Sequence, residues 1–290
     1  MDIYQKIKEF YERVTTEKRI IGKSVFGRNI YAVKIGDGNP IGMAVYAIHG
    51  REYITAELAC CHYLNGLYKN TGSLWLIPLC NPDGALLSQC GVSSIIGAEN
   101  EKRLLEINGG GDFSLWKANG RGVDLNVNFD ARWGKGEKNV REVGSENYIG
   151  AYPFSEPETQ ALKSFTLKIN PNYTVSYHTK GEEIYWYFYQ PMALCGRDKK
   201  LALTLSESTG YPLAYAKGSV GGYKDWCIQK LKIPSFTVEA GAETLTHPIG
   251  VEGLENIVAR NRDALRDLAK EYTELWQKDL REKKNLCDKR

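Results

Sequence analysis

Residues 43–52 read MAVYAIHGRE, an uninterrupted apolar run that stops abruptly at His49. A short apolar run bounded by polar residues is typical of a strand that is buried on both faces. Such strands lie in sheets that have helices packed against either side. The stretch therefore predicts an α/β fold in which polar side chains gather at the carboxyl end of this strand.

Further strands and helices alternate on both sides of this stretch. Buried strands are predicted at Ile30–Ile35, Leu74–Leu79, Tyr173–Tyr177 and Ile233–Val238. Amphipathic helices are predicted within residues 1–20, from Thr55 to Tyr68, from residues 155–158 to Leu167, and over residues 253–285. Residues 97–119 are rich in glycine and predict a long loop with some helix near Glu101. We predict one α/β domain over residues 1–290, with both terminal helices packed on it and helices on both faces of the sheet.

The composition is that of an ordinary globular protein, and it excludes several classes. Of 290 residues, 42% are hydrophobic and 25% are charged, which excludes long disorder and a collagen-like repeat. Lys and Arg total 38 against 35 Asp and Glu, and a net charge of +3 does not demand a nucleic-acid-binding surface. The first residues carry no export signal, and no apolar stretch is long enough to span a membrane. The seven cysteines do not form a recognisable disulfide framework, so we expect a reducing compartment, the cytoplasm.

Three of the predicted strands end in the residue types that a metal hydrolase needs. These residues are His49 with Glu52, then His178, then Glu239. Two histidines and one glutamate form a catalytic zinc set that leaves a fourth position for water. Glu239 is a candidate base for that water. The chain has four histidines, and we interpret the other two, His62 and His247, as structural or surface residues.

An ordered set of motifs extends from about Gly22 to Gly241. It comprises residues 49–52 (HGRE), 81–84 (NPDG), 122–129 (GVDLNVNF), His178, Gly221-Gly222 with Asp225-Trp226, and residues 237–239 (TVE). By these motifs the chain resembles the zinc carboxypeptidases of the carboxypeptidase A type. The resemblance implies a mixed sheet of about eight strands flanked by helices, one catalytic Zn²⁺ per chain, and hydrolysis of a peptide or isopeptide bond.

The same resemblance implies roles for single residues. His49, Glu52 and His178 match the zinc ligands of the family. Glu239 matches the general base that also shuttles the proton to the leaving group. Asn126 matches the asparagine that helps to bind the terminal carboxylate of the substrate.

Residues 126–129 depart from the family pattern, because Val127 replaces the arginine that grips the terminal carboxylate. Valine cannot make the paired hydrogen bonds of a guanidinium group. Either another cation serves, Arg132 being the nearest in sequence, or the enzyme accepts a longer leaving portion. A third interpretation is a relative that binds without catalysis, and the intact ligands and base argue against it.

Other functions of the family have competing candidates in this chain. Lys117 matches by spacing the residue that stabilises the oxyanion, while Arg121 is the nearby guanidinium, and either is alternatively a surface charge. Tyr215 and Tyr223 are both candidates for the tyrosine that caps the substrate. Lys224 falls where relatives carry a specificity-pocket residue, and it would favour an acidic substrate group unless it only pairs with the neighbouring aspartate at the surface.

Residues 116–119, residues 176–186 and Val127 look like the bacterial γ-D-glutamyl-meso-diaminopimelate peptidases. That branch implies cleavage of the γ-glutamyl isopeptide bond in cell-wall peptides, with diaminopimelate as the leaving amine. The alternatives are a general metallocarboxypeptidase acting on α-peptides and a non-catalytic muropeptide sensor. Because no wall-binding repeat and no export signal are visible, we expect recycling of wall peptides in the cytoplasm, with non-classical export or a spore compartment as alternatives. The expected partner is a peptide or muropeptide substrate, with no nucleic acid and no membrane span, and the oligomeric state stays open.

Overall fold

The computed structural model describes residues 1–65 and 71–287, with side chains described as far as residue 278. The strands are β1 (Lys18–Lys23), β2 (Asn29–Gly36), β3 (Ile41–Tyr46), β4 (Ser73–Ile77), β5 (Tyr173–His178), β6 (Glu183–Tyr185), β7 (Leu213–Ala214) and β8 (Ser235–Glu239). The helices are α1 (Ile3–Arg13), α2 (Ile54–Leu64), α3 (Pro82–Cys90), α4 (Ala98–Asn108), α5 (Pro157–Ile169), α6 (Met192–Thr209), α7 (Tyr223–Trp226), α8 (Val251–Asn261) and α9 (Ala264–Cys287).

The strands form one eight-stranded mixed sheet in the order β1-β2-β4-β3-β5-β8-β6-β7. The central strands β4, β3, β5 and β8 run parallel to one another. The strands β1, β2 and β4 pair antiparallel, and β6 runs antiparallel to β8. Because parallel neighbours end at the same edge of a sheet, the carboxyl ends of β3, β5 and β8 lie side by side.

Alternate residues of the central strands face two different helical layers. Ala44 and Tyr46 of β3 belong to a core that includes residues of α2, α6, α8 and α9. Met43 and Val45 belong to a second core that includes residues of α5. This division follows from the two-residue period of a strand. Helices therefore cover both faces of the sheet, which confirms the predicted α/β class and the mixed eight-stranded sheet.

The N-terminal helix is shorter than the range 1–20 predicted for it. The helix α1 ends at Arg13, and Val14 already has an extended backbone. Lys18 pairs with Val33 in the antiparallel ladder between β1 and β2. The prediction is corrected because pairing with β2 supplies the backbone hydrogen bonds that residues 18–20 would otherwise find in a helix.

The single C-terminal helix predicted over residues 253–285 is two helices, α8 and α9. The carbonyl oxygen of Asn261, where α8 ends, lies 3.0 Å from His62 Nε2. The Asn261 side-chain amide also donates to the Tyr211 hydroxyl, at 3.2 Å. These contacts tie the end of α8 to the interior, and the range is corrected for that reason. Residues of both helices share a core with residues of the sheet.

Other predicted elements keep their places, with shifted ends. The helix predicted from Thr55 to Tyr68 is α2, which ends at Leu64, and Tyr68 lies outside the described residues. The loop predicted over residues 97–119 contains the full helix α4. The strands β1, β6 and β7 and the helices α3, α6 and α7 were not predicted. Within the described part of the chain, no helix combines the length and apolar character needed to cross a membrane.

Candidate metal centre and active site

A tight turn after β3 places the first two predicted ligands side by side. A Cβ atom at Gly50 would lie 2.7 Å from the Trp116 carbonyl oxygen, so no larger residue fits there without a shift of the backbone. The Gly50 amide donates to the Lys117 carbonyl oxygen at 2.9 Å. Held by this packing, the turn sets His49 Nδ1 2.8 Å from Glu52 Oε1.

The neighbouring strand β5 brings the third predicted ligand to the same place. It pairs in parallel with β3 and ends at His178. The Nδ1 atom of His178 lies 2.9 Å from Glu52 Oε2 and 3.1 Å from His49 Nδ1. All three side chains are buried. Two residues of one turn and one residue of a strand, 126 positions apart, thus converge on a single point.

The three side chains fit a catalytic zinc ion. Among the described residues they form the one group of three or more His, Cys, Asp or Glu side chains whose ligand atoms lie within 4.8 Å of one another. The two imidazole Nδ1 atoms lie 3.1 Å apart and each also contacts a Glu52 carboxylate oxygen, so one cation can bind all three side chains at once. Two nitrogen ligands and one carboxylate are a donor set of catalytic zinc sites with an open position.

A buried aspartate that was not among the predicted site residues links the metal centre to Lys117. Asp124 Oδ1 lies 3.3 Å from His49 Nε2, and its Oδ2 lies 2.8 Å from Lys117 Nζ. Burial opposes ionisation of this carboxyl, but Lys117 and His49 outweigh it and lower the pKa of Asp124. An ionised Asp124 beside His49 Nε2 favours the tautomer that carries its proton on Nε2, which leaves Nδ1 free to bind a metal.

Glu239 lies at the end of β8, directly opposite His178 in the parallel pairing of β5 and β8. Burial raises the pKa of the Glu239 carboxyl to about 7, with opposition from His178 and Lys117 and support from Glu52 and Glu183. A carboxyl with a pKa near neutrality can both accept and return a proton at physiological pH. This is the behaviour that a base and proton shuttle needs.

A cavity of about 310 Å³ opens at these strand ends. Of the eleven residues predicted for the site, five line it: His49, Lys117, Asn126, Lys224 and Glu239. The remaining predicted ligands, Glu52 and His178, lie behind His49 in the buried group described above. The structure therefore brings seven of the predicted residues together and leaves four outside.

Two of the predicted residues are corrected because their side chains point elsewhere. Arg121 is about half exposed, lies 3.7 Å from Glu156 and lines a separate surface cavity. It therefore lies away from the catalytic cavity, which Lys117 lines. Tyr223 is fully buried, and its hydroxyl contacts Thr166 Oγ1 at 2.9 Å in the core beneath the sheet. It cannot cap a substrate from there.

Arg132 and Tyr215 lie at the surface and do not line the cavity. The Arg132 guanidinium stacks over the Tyr189 ring, 4.4 Å from its centroid. Tyr215 is 60% exposed and packs against Trp186 and Tyr187, with ring centroids 5.8 and 5.9 Å apart. The structure thus places both predicted residues in an aromatic surface cluster beside the site, and not within it.

Asn126 and Lys224 line the cavity with specific partners of their own. Asn126 Oδ1 accepts a hydrogen bond from the Tyr223 amide at 3.1 Å, which leaves its NH₂ group without a partner among the described residues. Lys224 Nζ pairs with Asp225 Oδ1 at 2.6 Å, and both residues are buried. The pairing that sequence suggested for Lys224 exists, but it lies inside the cavity and not at the surface.

Sequence reasoning missed the polar residues that two loops contribute to the cavity. They are Glu137, Lys138, Asn139, Asn147, Lys217 and Ser219. None of them follows a predicted strand, so no sequence signal pointed to them. Asp124 had one weak signal, a single acid inside the otherwise apolar and amide-rich stretch of residues 122–129.

Comparisons with known proteins agree with this geometry. The sequence matches the model of the zinc carboxypeptidases over residues 2–278. The γ-D-glutamyl-L-diamino acid endopeptidase 1 of Lysinibacillus sphaericus is 32% identical over 249 residues, which are 79% of this chain and 61% of that protein. Murein peptide amidase A of Escherichia coli K12 is 34% identical over 134 residues, 42% of this chain and 50% of that protein. The chain spans less than two thirds of the length of either relative.

The fold is also similar to that of a solved structure, bovine thrombin-activatable fibrinolysis inhibitor in complex with tick carboxypeptidase inhibitor. The TM-score is 0.74, and the match covers 94% of this chain and 97% of that chain. The sequences are 20% identical. At this distance the likeness concerns the architecture alone, in agreement with the eight-stranded mixed sheet.

Proposed function

The chain belongs to the zinc carboxypeptidase family, and from this premise we propose that it hydrolyses the γ-D-glutamyl bond to meso-diaminopimelate in peptides derived from peptidoglycan. Family membership makes the protein a zinc-dependent hydrolase, and the identity of the substrate is the proposal. The observation that carries it is the 32% identity to a γ-D-glutamyl-L-diamino acid endopeptidase over 79% of the chain. The shorter match to a murein peptide amidase supports the same class of substrate.

The cavity contains charges that suit diaminopimelate. The free end of this residue carries one amino group and one carboxylate. Lys224 and Asp225, both buried and 2.6 Å apart, present one charge of each sign to the cavity. An ammonium and a carboxylate of the substrate can each find an opposite charge there, whereas an apolar side chain would leave the pair with no further partner than each other.

The catalytic step that we propose uses two side chains of the cavity. A zinc ion held by His49, Glu52 and His178 would lower the pKa of water and polarise the carbonyl group. The Glu239 carboxylate accepts a proton from the attacking water as the new carbon–oxygen bond forms. It returns that proton to the nitrogen of diaminopimelate as the carbon–nitrogen bond breaks. The Lys117 ammonium, fixed by Asp124, faces the cavity and stabilises the negative charge that develops on the carbonyl oxygen.

The decisive experiment offers the zinc-loaded protein L-Ala-γ-D-Glu-meso-diaminopimelate and follows release of diaminopimelate by mass spectrometry. We expect release of the free diamino acid and about one zinc per chain. Efficient trimming of ordinary C-terminal residues without cleavage of this tripeptide would replace the proposal by a general metallocarboxypeptidase. A non-catalytic sensor would bind the tripeptide and cleave neither substrate, although the complete ligand set with Glu239 beside it argues for turnover.

We further propose that the protein acts in the cytoplasm on wall peptides that are being recycled. The support is the state of the cysteines, since the six within the described side chains are all free thiols. Free thiols, two of them buried, are typical of proteins from a reducing compartment. Localisation of a fluorescent fusion in intact cells tests this, and a signal confined to the cell envelope or to a spore compartment would contradict it.

A further inference from the structure

Two loops complete the wall of the catalytic cavity, and we call residues 134–139 and 216–219 the rim loops. The Glu137 amide donates to the Gly218 carbonyl oxygen at 2.9 Å and joins the two loops. Gly218 has a φ of +71°, and a Cβ atom there would lie 2.3 Å from the Glu137 carboxyl carbon. The left-handed backbone favours glycine at this position, and the exposed Glu137 side chain would have to move aside for a larger residue. The rim loops are thus fixed to each other.

Four lysines line the cavity, and they differ in their partners. Lys117 pairs with Asp124 at 2.8 Å, and Lys224 pairs with Asp225 at 2.6 Å. The other two, Lys138 and Lys217, belong to the rim loops. Both are exposed, and neither forms an ion pair with any residue that the structure describes. Their charges are therefore available to a ligand.

No arginine of the described residues lines the cavity. Arg121 and Arg132 point to other surfaces, as shown above. Val127 presents an apolar side chain to the cavity instead. The Lys224–Asp225 pair can meet an ammonium and a carboxylate together, charge for charge. A substrate carboxylate without an ammonium beside it needs a cation that is not already neutralised, and only the rim lysines meet that condition among the described lining residues.

Asn126 and Val127, which match the terminal-carboxylate site of the family, line the same cavity as the rim lysines. We infer that Lys138 and Lys217 bind carboxylates of the substrate on the leaving side of the scissile bond. The inference rests on the proposed function for the identity of the substrate, and it adds that the enzyme selects anionic peptides through the rim. A lysine is a mobile point charge on a four-carbon stem, whereas a guanidinium is a rigid fork. The flexible side chains of the two lysines can reach a carboxylate at different depths in the cavity. The rim therefore accepts leaving portions that differ in length.

The test compares Lys138→Ala, Lys217→Ala and the double variant with Lys135→Ala as the matched control. Lys135 belongs to the same rim loop and is equally exposed, but it does not line the cavity. Each protein is assayed on L-Ala-γ-D-Glu-meso-diaminopimelate and on the same tripeptide with its diaminopimelate carboxylates converted to amides. Exposed ion pairs are weak, so we expect KM to rise about threefold for each single variant and about tenfold for the double variant.

Three further results are required. The kcat of the acidic tripeptide stays unchanged, because the rim lysines do not touch the reacting atoms. The KM of the amidated tripeptide is the same in all four variants as in the parent. Added salt raises KM in the parent and hardly changes it in the double variant, because screening acts only where the exposed charges remain. A double variant whose KM lies within twofold of the parent value, or whose amidated substrate is affected equally, overturns the inference.

Failure of the proposed function is recognised separately. In one outcome the parent protein cleaves an ordinary α-peptide and not the tripeptide. In that case the same variants are assayed on the α-peptide with a free and with an amidated C-terminus. The inference then requires the same pattern of KM values. If the parent cleaves neither, calorimetry measures binding of the acidic and amidated tripeptides to zinc-loaded Glu239→Gln, with and without the two rim substitutions. Equal affinity for both ligands there overturns the inference, and a preference for the acidic ligand that the rim substitutions abolish supports it.

Discussion

We call His49, Glu52, His178 and Glu239, at the carboxyl ends of β3, β5 and β8, the strand-end region. This region and the rim loops form two parts of one site in different ways. In the strand-end region, His49, His178 and Glu239 are positioned by the register of parallel strands, and each is buried or nearly so. Residues 134–139 follow no strand and residues 216–219 follow only the two-residue edge strand β7, and the lysines of these loops are exposed and form no ion pair in the described chain. We propose that the first part carries the chemistry and that the second meets the substrate.

The difference shows what each part tolerates. A side chain fixed by strand register cannot move without disturbing the sheet, and catalysis needs that precision. An exposed loop lysine costs little to reposition, and it can serve leaving groups of several lengths. We therefore expect substitutions in the strand-end region to change kcat or metal binding, and substitutions in the rim to change KM.

Glu239→Gln gives the largest effect. The amide cannot accept the proton of the attacking water, so kcat falls about a thousandfold. Zinc content stays at about one per chain, because Glu239 is not in the group that fits the metal. Turnover and zinc analysis of the same preparation measure both. Glu243→Gln is the control, since that residue is exposed and does not line the cavity. A kcat within tenfold of the parent would remove Glu239 from the mechanism.

A buried histidine beneath the strand-end region makes stability depend on pH. His62 Nδ1 contacts the Tyr46 hydroxyl at 2.7 Å, and the Tyr46 ring stacks on Tyr177 next to His178. Burial lowers the pKa of His62 from 6.5 to about 4. Between these values the unfolded chain binds a proton that the folded chain does not, so stability falls as pH drops from 6.5 to 4.

At 1.36 kcal/mol per pKa unit, His62 accounts for about 3 kcal/mol of lost unfolding free energy over this range. Urea unfolding of the zinc-free parent and of His62→Gln at several pH values measures it. The curve of the variant should be flatter by that amount, whatever its absolute stability. Parallel curves for the two proteins would mean that His62 is protonated in the folded state. The rim, which contains no buried histidine, adds nothing to this dependence.

The sequence indicated which polar residues would meet at the strand ends, and there is a physical reason for this. A buried strand is a continuous apolar run. A polar side chain at its end is either hydrated by water or held by a partner such as a metal ion or another polar group. His49, His178 and Glu239 were found by that logic, and the structure places them together. Asp124 was missed as a site residue because it follows no strand, although it contacts both His49 and Lys117.

The rest of the fold was harder to predict because its signals are weak or depend on tertiary contacts. The strands β6 and β7 have three and two residues, too few for any periodicity. The strand β1 reads KRIIGK, a sequence that is also compatible with an amphipathic helix. It is a strand because it pairs with β2, and that pairing is not visible in the local sequence. Lys138 and Lys217 reach the cavity because the two rim loops contact each other, and that contact joins residues that are far apart in sequence. Arg132 and Tyr215 were chosen by nearness in sequence, and nearness in sequence does not fix where a loop side chain points.

Lys117→Ala separates the two candidates for oxyanion stabilisation. We expect kcat to fall about a hundredfold, as for the loss of one donor to a developing oxyanion. Arg121→Ala is the matched control and should leave kcat unchanged, because Arg121 lines a different cavity. Steady-state kinetics on the diaminopimelate tripeptide measure both. The reverse order of effects would show that substrate binding rearranges residues 116–122.

Asp124→Asn weakens the metal centre without removing a ligand. The variant loses the negative charge that orients His49 and pairs with Lys117. We expect zinc affinity to fall about thirtyfold, within the range for partners of metal-bound histidines. Competition with a chromogenic chelator measures it, and thermal unfolding of the zinc-free protein checks that the fold is kept. Asp130→Asn, an exposed aspartate paired with Lys230, is the control. Unchanged affinity would mean that His49 is oriented by the tight turn alone.

Arg132→Ala and Tyr215→Ala give the smallest effects and define where the rim ends. Both side chains are exposed beside the cavity without lining it, so each variant should change kcat/KM by less than about twofold. The comparison with Lys138→Ala and Lys217→Ala uses the same tripeptide and the same buffer. An effect above fivefold on KM would extend the substrate surface to the aromatic cluster around Tyr187 and Tyr189. Small effects there, with larger ones at the rim lysines, would show that carboxylate selection depends on which loops reach the cavity and not on which cation lies nearest to the catalytic motif in sequence.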